Sequence, residues 1–189
     1  NLEVNGETPD WIEIKNSGIA PVELQGYHIA DQSSVQNLFY FQNGVLQPGE
    51  TILVYASGFP GRSDLDAAFS ITSNGETLVL LTPADDVVEQ VSVPSLRADH
   101  SYGKTPDGWK YFTEPTPNAE NTTTAYFGYA PKPVLNIEPG IYTGSQVLTA
   151  IPPEGNMEIE IGLHGEYPSS NMIYTDPIEI DSTSIVQFI

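Results

Sequence analysis

The chain has 189 residues, with 25 acidic and 6 basic side chains and a formal charge of −19. That balance argues against a nucleic-acid binder working through phosphate contacts, which need clustered Lys and Arg, and it disfavours an anionic membrane surface. The absence of Cys excludes disulfides, thiolate zinc sites and a Cys nucleophile. Gly and Pro contribute 16 residues each, a turn-rich count, and 39% hydrophobic content suffices for a packed core. No apolar run approaches the roughly 20 residues that cross a bilayer as a helix, so no transmembrane segment is expected. The chain starts at Asn1 rather than Met, which reads as a piece of a longer protein. Few basic residues, many Thr, Ser, Asn and Tyr, and no Cys predict an exported bacterial protein, extracellular or at the cell surface and monomeric as this piece.

Periodicity predicts β-strands almost throughout. In Trp11-Ile12-Glu13-Ile14-Lys15 the two Ile share one face, and Asn16-Ser17-Gly18 ends the strand with turn chemistry. Val22 and Leu24 alternate with Glu23, Tyr27 and Ile29 with His28, and Phe39 and Phe41 flank Tyr40. Gln47-Pro48-Gly49-Glu50 is a turn. Thr51-Ile52-Leu53-Val54-Tyr55-Ala56 is apolar on both faces and predicts a strand covered on both sides. Thr77–Leu81 and Val87–Val93 follow, separated by the turn Pro83-Ala84-Asp85-Asp86. Runs spaced by ten to twelve residues suit an antiparallel sandwich.

A composition shift follows at Pro115–Thr124, and residues 122–131 read as an interdomain linker ending at Pro131 and Pro133. Beyond it, Met157, Ile159, Ile161 and Leu163 alternate with Glu158 and Glu160, predicting a strand with one buried face. Val147 and Ile151, Ile178 and Ile180, and Val186 and Phe188 are expected to complete that core. A domain this small is marginal alone. The predicted fold class is all-β: a β-sandwich over 1–121, a linker over 122–131, and a second, smaller β-sandwich over 132–189.

The first segment resembles the bacterial lamin tail domain. The likeness rests on Asp10–Asn16, Val22–Asp31, Leu46–Glu50, Phe69-Ser70-Ile71, Asn74–Leu80, Ser101-Tyr102-Gly103-Lys104, Asp107-Gly108 and Pro115–Asn121. It implies an immunoglobulin-like sandwich. The second segment looks like the small C-terminal domain of chitobiase and related hexosaminidases, through Ile137–Tyr142, Val147-Leu148-Thr149, Gly165–Ser170 and Tyr174–Ile180. In Ile161-Gly162-Leu163-His164-Gly165, His164 stands where that family carries Asp. In exported bacterial proteins such modules accompany a larger domain, a hydrolase or a kinase-like domain related to spore coat protein H.

Chemistry of the chain's own is thinly signalled. The only His residues are His28, His100 and His164, none in a nucleophile-elbow or zinc-protease context. His28 is expected on the outer face of its strand, in solvent. Glu158 and Glu160 share a strand face, which a solvated face explains without glycosidase chemistry. No cofactor is expected. Calcium is the one metal weighed, because hard cations take carboxylate and carbonyl oxygens. Asp64, Asp66, Asp85 and Asp86 offer candidate loops, without the EF-hand pattern. Trp11, Tyr126 and Tyr129 are candidate ligand contacts, since rings with free polar tips stack on sugars. Trp109-Lys110-Tyr111-Phe112 reads as a ribbon closing the sandwich, and Tyr126-Phe127-Gly128-Tyr129 as a cluster that joins two domains. Asn121-Thr122-Thr123 fits the glycosylation acceptor pattern by chance.

The expected role is non-catalytic: a binding, adhesion or spacer module presenting loops or a sheet edge to a protein or glycan partner. The alternative is an accessory region that positions a catalytic domain. A filament or DNA-associated role is disfavoured by the charge and the lack of coiled-coil heptads.

Overall fold

The computed structural model describes residues 6–31, 38–152 and 157–189. The described residues form antiparallel sheets and no helix, so the fold is all-β. The chain divides into two compact units, Asn1–Gly128 and Tyr129–Ile189.

In the first unit the strands are β1 (Asp10–Lys15), β2 (Val22–Glu23), β3 (His28–Asp31), β4 (Leu38–Tyr40), β5 (Val45–Leu46), β6 (Thr51–Ala56), β7 (Glu76–Leu81), β8 (Val87–Val93), β9 (Ser101–Thr105), β10 (Gly108–Phe112) and β11 (Ala125–Tyr126). The main sheet has the order β4-β3-β7-β8. Opposing elements are the β1-β6 pair and the short β2-β5 pair, and β9, β10 and β11 form a further three-stranded sheet. The non-consecutive pairings β1-β6 and β3-β7 are crossovers, as expected of an immunoglobulin-like sandwich. Ile29, Phe39 and Leu78 from the main sheet meet Val54 and Ala56 of β6 and the loop residues Phe41, Ala67 and Phe69 in one core. The Phe39 and Phe41 rings meet edge to face at 4.9 Å. Each large apolar side chain buried there contributes roughly 1.5–3 kcal/mol.

β6 bears out its reading as a strand covered on both faces. Val54 is completely buried on one side and Leu53 nearly so on the other. Its far edge is closed by loop 63–67, where Tyr55 N donates to Leu65 O and Ala67 N to Tyr55 O, each at 2.8 Å. Ala125–Tyr126, within the segment read as a linker, pairs with β10 in the first unit.

β1 ends at a buried amide. The Asn16 Nδ2 group donates to Ala20 O at 2.9 Å and Leu46 O at 2.8 Å, while Oδ1 accepts from Gly18 N at 3.0 Å. Its backbone N donates to Glu50 O and its carbonyl accepts from Gly49 N. Only Asn offers two donors and an acceptor on so short a stem, and the Oδ1 bond closes a turn two residues on.

The second unit holds β12 (Val134–Leu135), β13 (Gln146–Leu148), β14 (Ala150–Ile151), β15 (Glu160–Leu163), β16 (Ser169–Ile173), β17 (Ile178–Ile180) and β18 (Val186–Phe188). They pair as β12-β14, β13-β17 and β16-β15-β18. Ile159 and Ile161 are buried, as the alternation requires, but Val147 and Ile151 are not. The core positions here are Leu148 and Ala150, two apart on one face, which leaves Val147 and Ile151 more than half exposed. Gly162 is irreplaceable by geometry, since a Cβ would overlap the Glu166 carbonyl oxygen. His164 and Gly165 both have positive φ, 55° and 85°, and Glu166 N donates to Leu163 O. This is a tight turn with two left-handed central residues. His is among the residues enriched in that backbone region, so the turn accommodates His164.

Replacing Asn16 with Ala removes three hydrogen bonds and leaves the buried carbonyl of Leu46 in β5 without this donor. Asn16→Ala should lower the unfolding free energy by about 3 kcal/mol in chemical denaturation. Asn43→Ala, at an exposed position, should stay within about 0.5 kcal/mol of the parent.

Candidate functional site

The β9-β10 hairpin is set by its turn. Gly108 adopts φ 107°, Thr105 Oγ1 donates to Gly108 O at 2.7 Å, and Asp107 N donates to Thr105 Oγ1. That turn fixes the register, placing Lys104 opposite Trp109 and Tyr102 opposite Tyr111, while Tyr126 of β11 lies opposite Tyr111. Directly opposed residues share a face. One face of this sheet therefore carries Tyr102, Lys104, Trp109, Tyr111 and Tyr126. The other carries Lys110 and Phe112, both buried.

The rings on the first face are organised. Tyr102 stacks on Trp109 with centroids 5.6 Å apart and an interplanar angle of 18°. Tyr111 meets Tyr102 edge-on at 5.1 Å. Lys104 Nζ lies 6.0 Å from the Trp109 ring and bonds both carboxylate oxygens of Glu89, at 2.7 and 2.9 Å. Tyr126 is 45% exposed at the far side. On the reverse, Lys110 Nζ sits 3.0 Å from the centroid of Phe127, so this member of the aromatic cluster covers a cation of the first unit. Gly103 permits close approach of the following loop, because a Cβ there would fall 2.7 Å from Asn121 Nδ2.

A cleft of about 440 Å³ lies beside this hairpin, lined by Glu13 and Lys15 of β1, Thr51 of β6, Lys104, and Asn118–Asn121. Its charges are already paired. Lys15 Nζ contacts Glu120 Oε1 at 3.3 Å, and Glu13 Oε2 accepts from Asn118 N at 2.6 Å.

The sequence-selected residues are dispersed. Asp85 does not stand free in a metal loop; its Oδ1 lies 3.2 Å from His28 Nε2. His28 is buried at 3% exposure, contrary to the expectation of a solvated ring. The reason is the strand order: β3 is interior to its sheet, Tyr40 stacks on the ring at 4.8 Å, and the 82–86 turn carries Asp85 to it. His28 Nδ1 also lies 3.2 Å from Gly26 O. Both ring nitrogens thus face acceptors, and both bonds form together only in the protonated ring. Asp86 helps shape the turn through its carbonyl and N–H, which bond Thr82. Asp66 accepts from Ser63 Oγ at 2.7 Å, and Asp64 is exposed in the same loop. Among the described residues, no three His, Asp or Glu side chains are grouped to hold a metal ion. Trp11 lies opposite Tyr55 and is half-buried, and Tyr129 opens the second unit, also half-buried.

An acidic group went unseen in the sequence. Glu76, at the start of β7, is raised from its usual value near 4.5 to about 7, first by burial and then by the hydrogen bond and charge of Asp31 and the charge of Asp10. A bond from Thr72 N at 2.6 Å opposes the shift. Asp31 is buried at the end of β3. Asp10 is also raised, by burial. Ionised, Glu76 Oε2 is buried without a hydrogen-bond partner; a protonated carboxyl can donate to Asp31, and an ionised one cannot.

Residues 2–95 match the family model of the lamin tail domain. The match supports the lamin-tail resemblance of the first unit, an immunoglobulin-like and generally non-catalytic module. It ends at Ser95, before the aromatic sheet, and lends no support to the chitobiase-like reading of residues 132–189. No curated protein and no solved structure matches the chain. No helix among the described residues is long and apolar enough to cross a membrane.

The folded state retains a proton on Glu76 between pH 4.5 and 7 that the unfolded chain has released. Stability therefore falls as pH rises through that window, and the deficit persists above it. Glu76→Gln should raise Tm at pH 8 relative to the parent, leave it nearly unchanged at pH 4, and flatten the pH dependence between 5 and 8 in thermal melts.

Proposed function

We propose that this chain is a non-catalytic binding module of an extracellular or surface-attached bacterial protein, and that the aromatic face of β9, β10 and β11 contacts a glycan. The carrying observation is the register that aligns Tyr102, Trp109, Tyr111 and Tyr126 on one face. Aromatic rings offer flat apolar surface to the C–H faces of sugars, while Tyr hydroxyls and the Trp N–H supply hydrogen bonds. The stacking of Tyr102 on Trp109 limits ring motion before a ligand arrives, which reduces the ordering cost of binding. The lamin-tail match over 2–95 supports a scaffold role for the rest of the unit.

Purified protein should be retained on one insoluble polysaccharide or cell-wall preparation, equally with calcium and with a chelator. Trp109→Ala should weaken that retention by about tenfold with an unchanged circular dichroism spectrum. Phe59→Ala, at an exposed ring elsewhere in the same unit, should leave it intact, whereas Trp109 is half-buried. Absence of retention on every preparation, or parent-like retention of Trp109→Ala, would sink the glycan reading. Loss with chelator would return the acidic loops to consideration as a calcium site.

A further inference from the structure

The chain holds three Asn-Gly pairs, Asn5-Gly6, Asn43-Gly44 and Asn74-Gly75. Glycine after asparagine leaves the next backbone nitrogen without a side chain to shield it, so that nitrogen can reach the Asn amide carbon. Asn5 lies outside the described residues. Asn43 and Asn74 are both exposed, and their backbones tell them apart. Gly75 N donates to Thr72 O at 3.0 Å, and Gly75 O accepts from Thr72 Oγ1 at 3.1 Å. Gly75 also lies against the end of β8, where a Cβ would fall 2.5 Å from Val93 O. The nitrogen of this pair is therefore bonded and its residue held in place.

The Asn43-Gly44 pair is built the other way. Among the described residues, neither the Asn43 amide nor Gly44 N makes a hydrogen bond. Gly44 is exposed, and the nearest atom to a Cβ placed there is Leu24 Cδ1 at 3.8 Å. This open stretch runs between two fixed points. On one side Phe41, 2% exposed, donates to Tyr27 O and accepts from Gly26 N, each at 2.9 Å. On the other, Gly44 O accepts from Leu24 N at 2.8 Å, and β5 begins at Val45 opposite Glu23.

We infer that Asn43 is a site of spontaneous deamidation and that its isoaspartyl product unfastens β5 from β2. Gly44 N gives its proton to solvent base and bonds to Asn43 Cγ. The Cγ–Nδ2 bond breaks, and the amide nitrogen takes up a proton and leaves as ammonia. Water then opens the five-membered imide. Attack at Cγ leaves an aspartyl side chain on an unaltered backbone. Attack at the main-chain carbonyl of residue 43 routes the chain through Cβ and Cγ, which is an isoaspartyl residue with one extra methylene in the main chain. That methylene has to fit between Phe41 and Gly44, both already bonded to the segment 24–27. Either the Leu24–Gly44 bond or the pairing of Val45-Leu46 with β2 gives way. Leu46 O is also an acceptor for the Asn16 amide, so the change reaches the end of β1.

The test is to age the whole chain at mildly alkaline pH and physiological temperature, and to map each Asn by mass spectrometry with electron-based fragmentation, which separates isoaspartyl from aspartyl. Asn43 should convert at least about tenfold faster than Asn74, whose bonded turn must open first. Isoaspartyl should be the main product. The aged chain should melt about 5 °C below the fresh chain. Asn43→Ala should keep its fresh Tm through the same ageing. Fresh Asn43→Asp should melt with the parent, because its backbone carries no extra atom. Conversion of Asn74 as fast as or faster than that of Asn43, or an Asn43 that stays intact, would overturn the site. A loss of Tm that aged Asn43→Ala shares, or that fresh Asn43→Asp already shows, would overturn the unfastening of β5. So would an aged chain that carries isoaspartyl at this position and melts with the fresh one.

Discussion

Five hydrogen bonds converge on Asn16, three through its side chain and two through its backbone. They tie the end of β1 to the loop through Ala20, to β5 at Leu46 and to the turn at Gly49-Glu50. β1 can pair with β6 in only one register once its end is held this way. That register decides which side chains line the face of the pair opposite Val54: Trp11, Glu13 and Lys15 across from Tyr55, Leu53 and Thr51. Glu13 and Lys15 then hold the 118–120 loop, and that loop closes one wall of the cleft. A single amide at a strand end therefore sets the geometry of a surface on the opposite side of the pair. The side chain competes for backbone groups in the way that makes Asn poor inside strands and useful at their ends.

Much of this was legible in sequence because strand periodicity and turn chemistry are local. Ile12 with Ile14, the doubly apolar Thr51–Ala56, and the run Val87–Val93 each declare a strand with its neighbours unseen. What escaped depends on pairing. His28 alternates with Ile29 and so reads as solvent-facing; only the interior position of β3 and the arrival of Asp85 bury it. Asp10, Asp31 and Glu76 are far apart in the chain and are coupled only because β1, β3 and β7 bring their ends near one another. Val147 and Ile151 are the β-branched apolar residues of their stretch, yet Leu148 and Ala150 own the inward face, since a shift of one residue reverses a strand. The aromatic face was hidden for the same reason. Trp109 and Tyr111 are visible as alternating rings, but their alignment with Tyr102 follows from the length of the Thr105–Gly108 turn.

The β9-β10-β11 sheet has different chemistry on its two sides. Its inner side buries Phe112 and an ammonium, Lys110, covered by Phe127. Gly103 keeps that side thin enough for Asn121 to lie against it. The outer side is a row of aromatic rings with one ion pair at its edge. The sheet follows directly on the lamin-tail match, which stops at Ser95. The matched segment thus supplies most of the core, and the residues after it supply the surface with distinct chemical character.

The scarcity of positive charge has a consequence for proteolysis. Trypsin-like proteases need an accessible Lys or Arg, and the chain has only six. Lys15, Lys104 and Lys110 sit within paired strands, where the backbone cannot enter a protease cleft as an extended ligand without local unfolding. Lys132 is followed by Pro133, whose ring and missing N–H disturb the bond to be cut. That leaves Arg62 and Arg97, both exposed and outside strands. Among the described residues, Arg62 and Arg97 are thus the two positions left exposed outside strands for a trypsin-like protease, so that resistance to such an enzyme is decided by two loops.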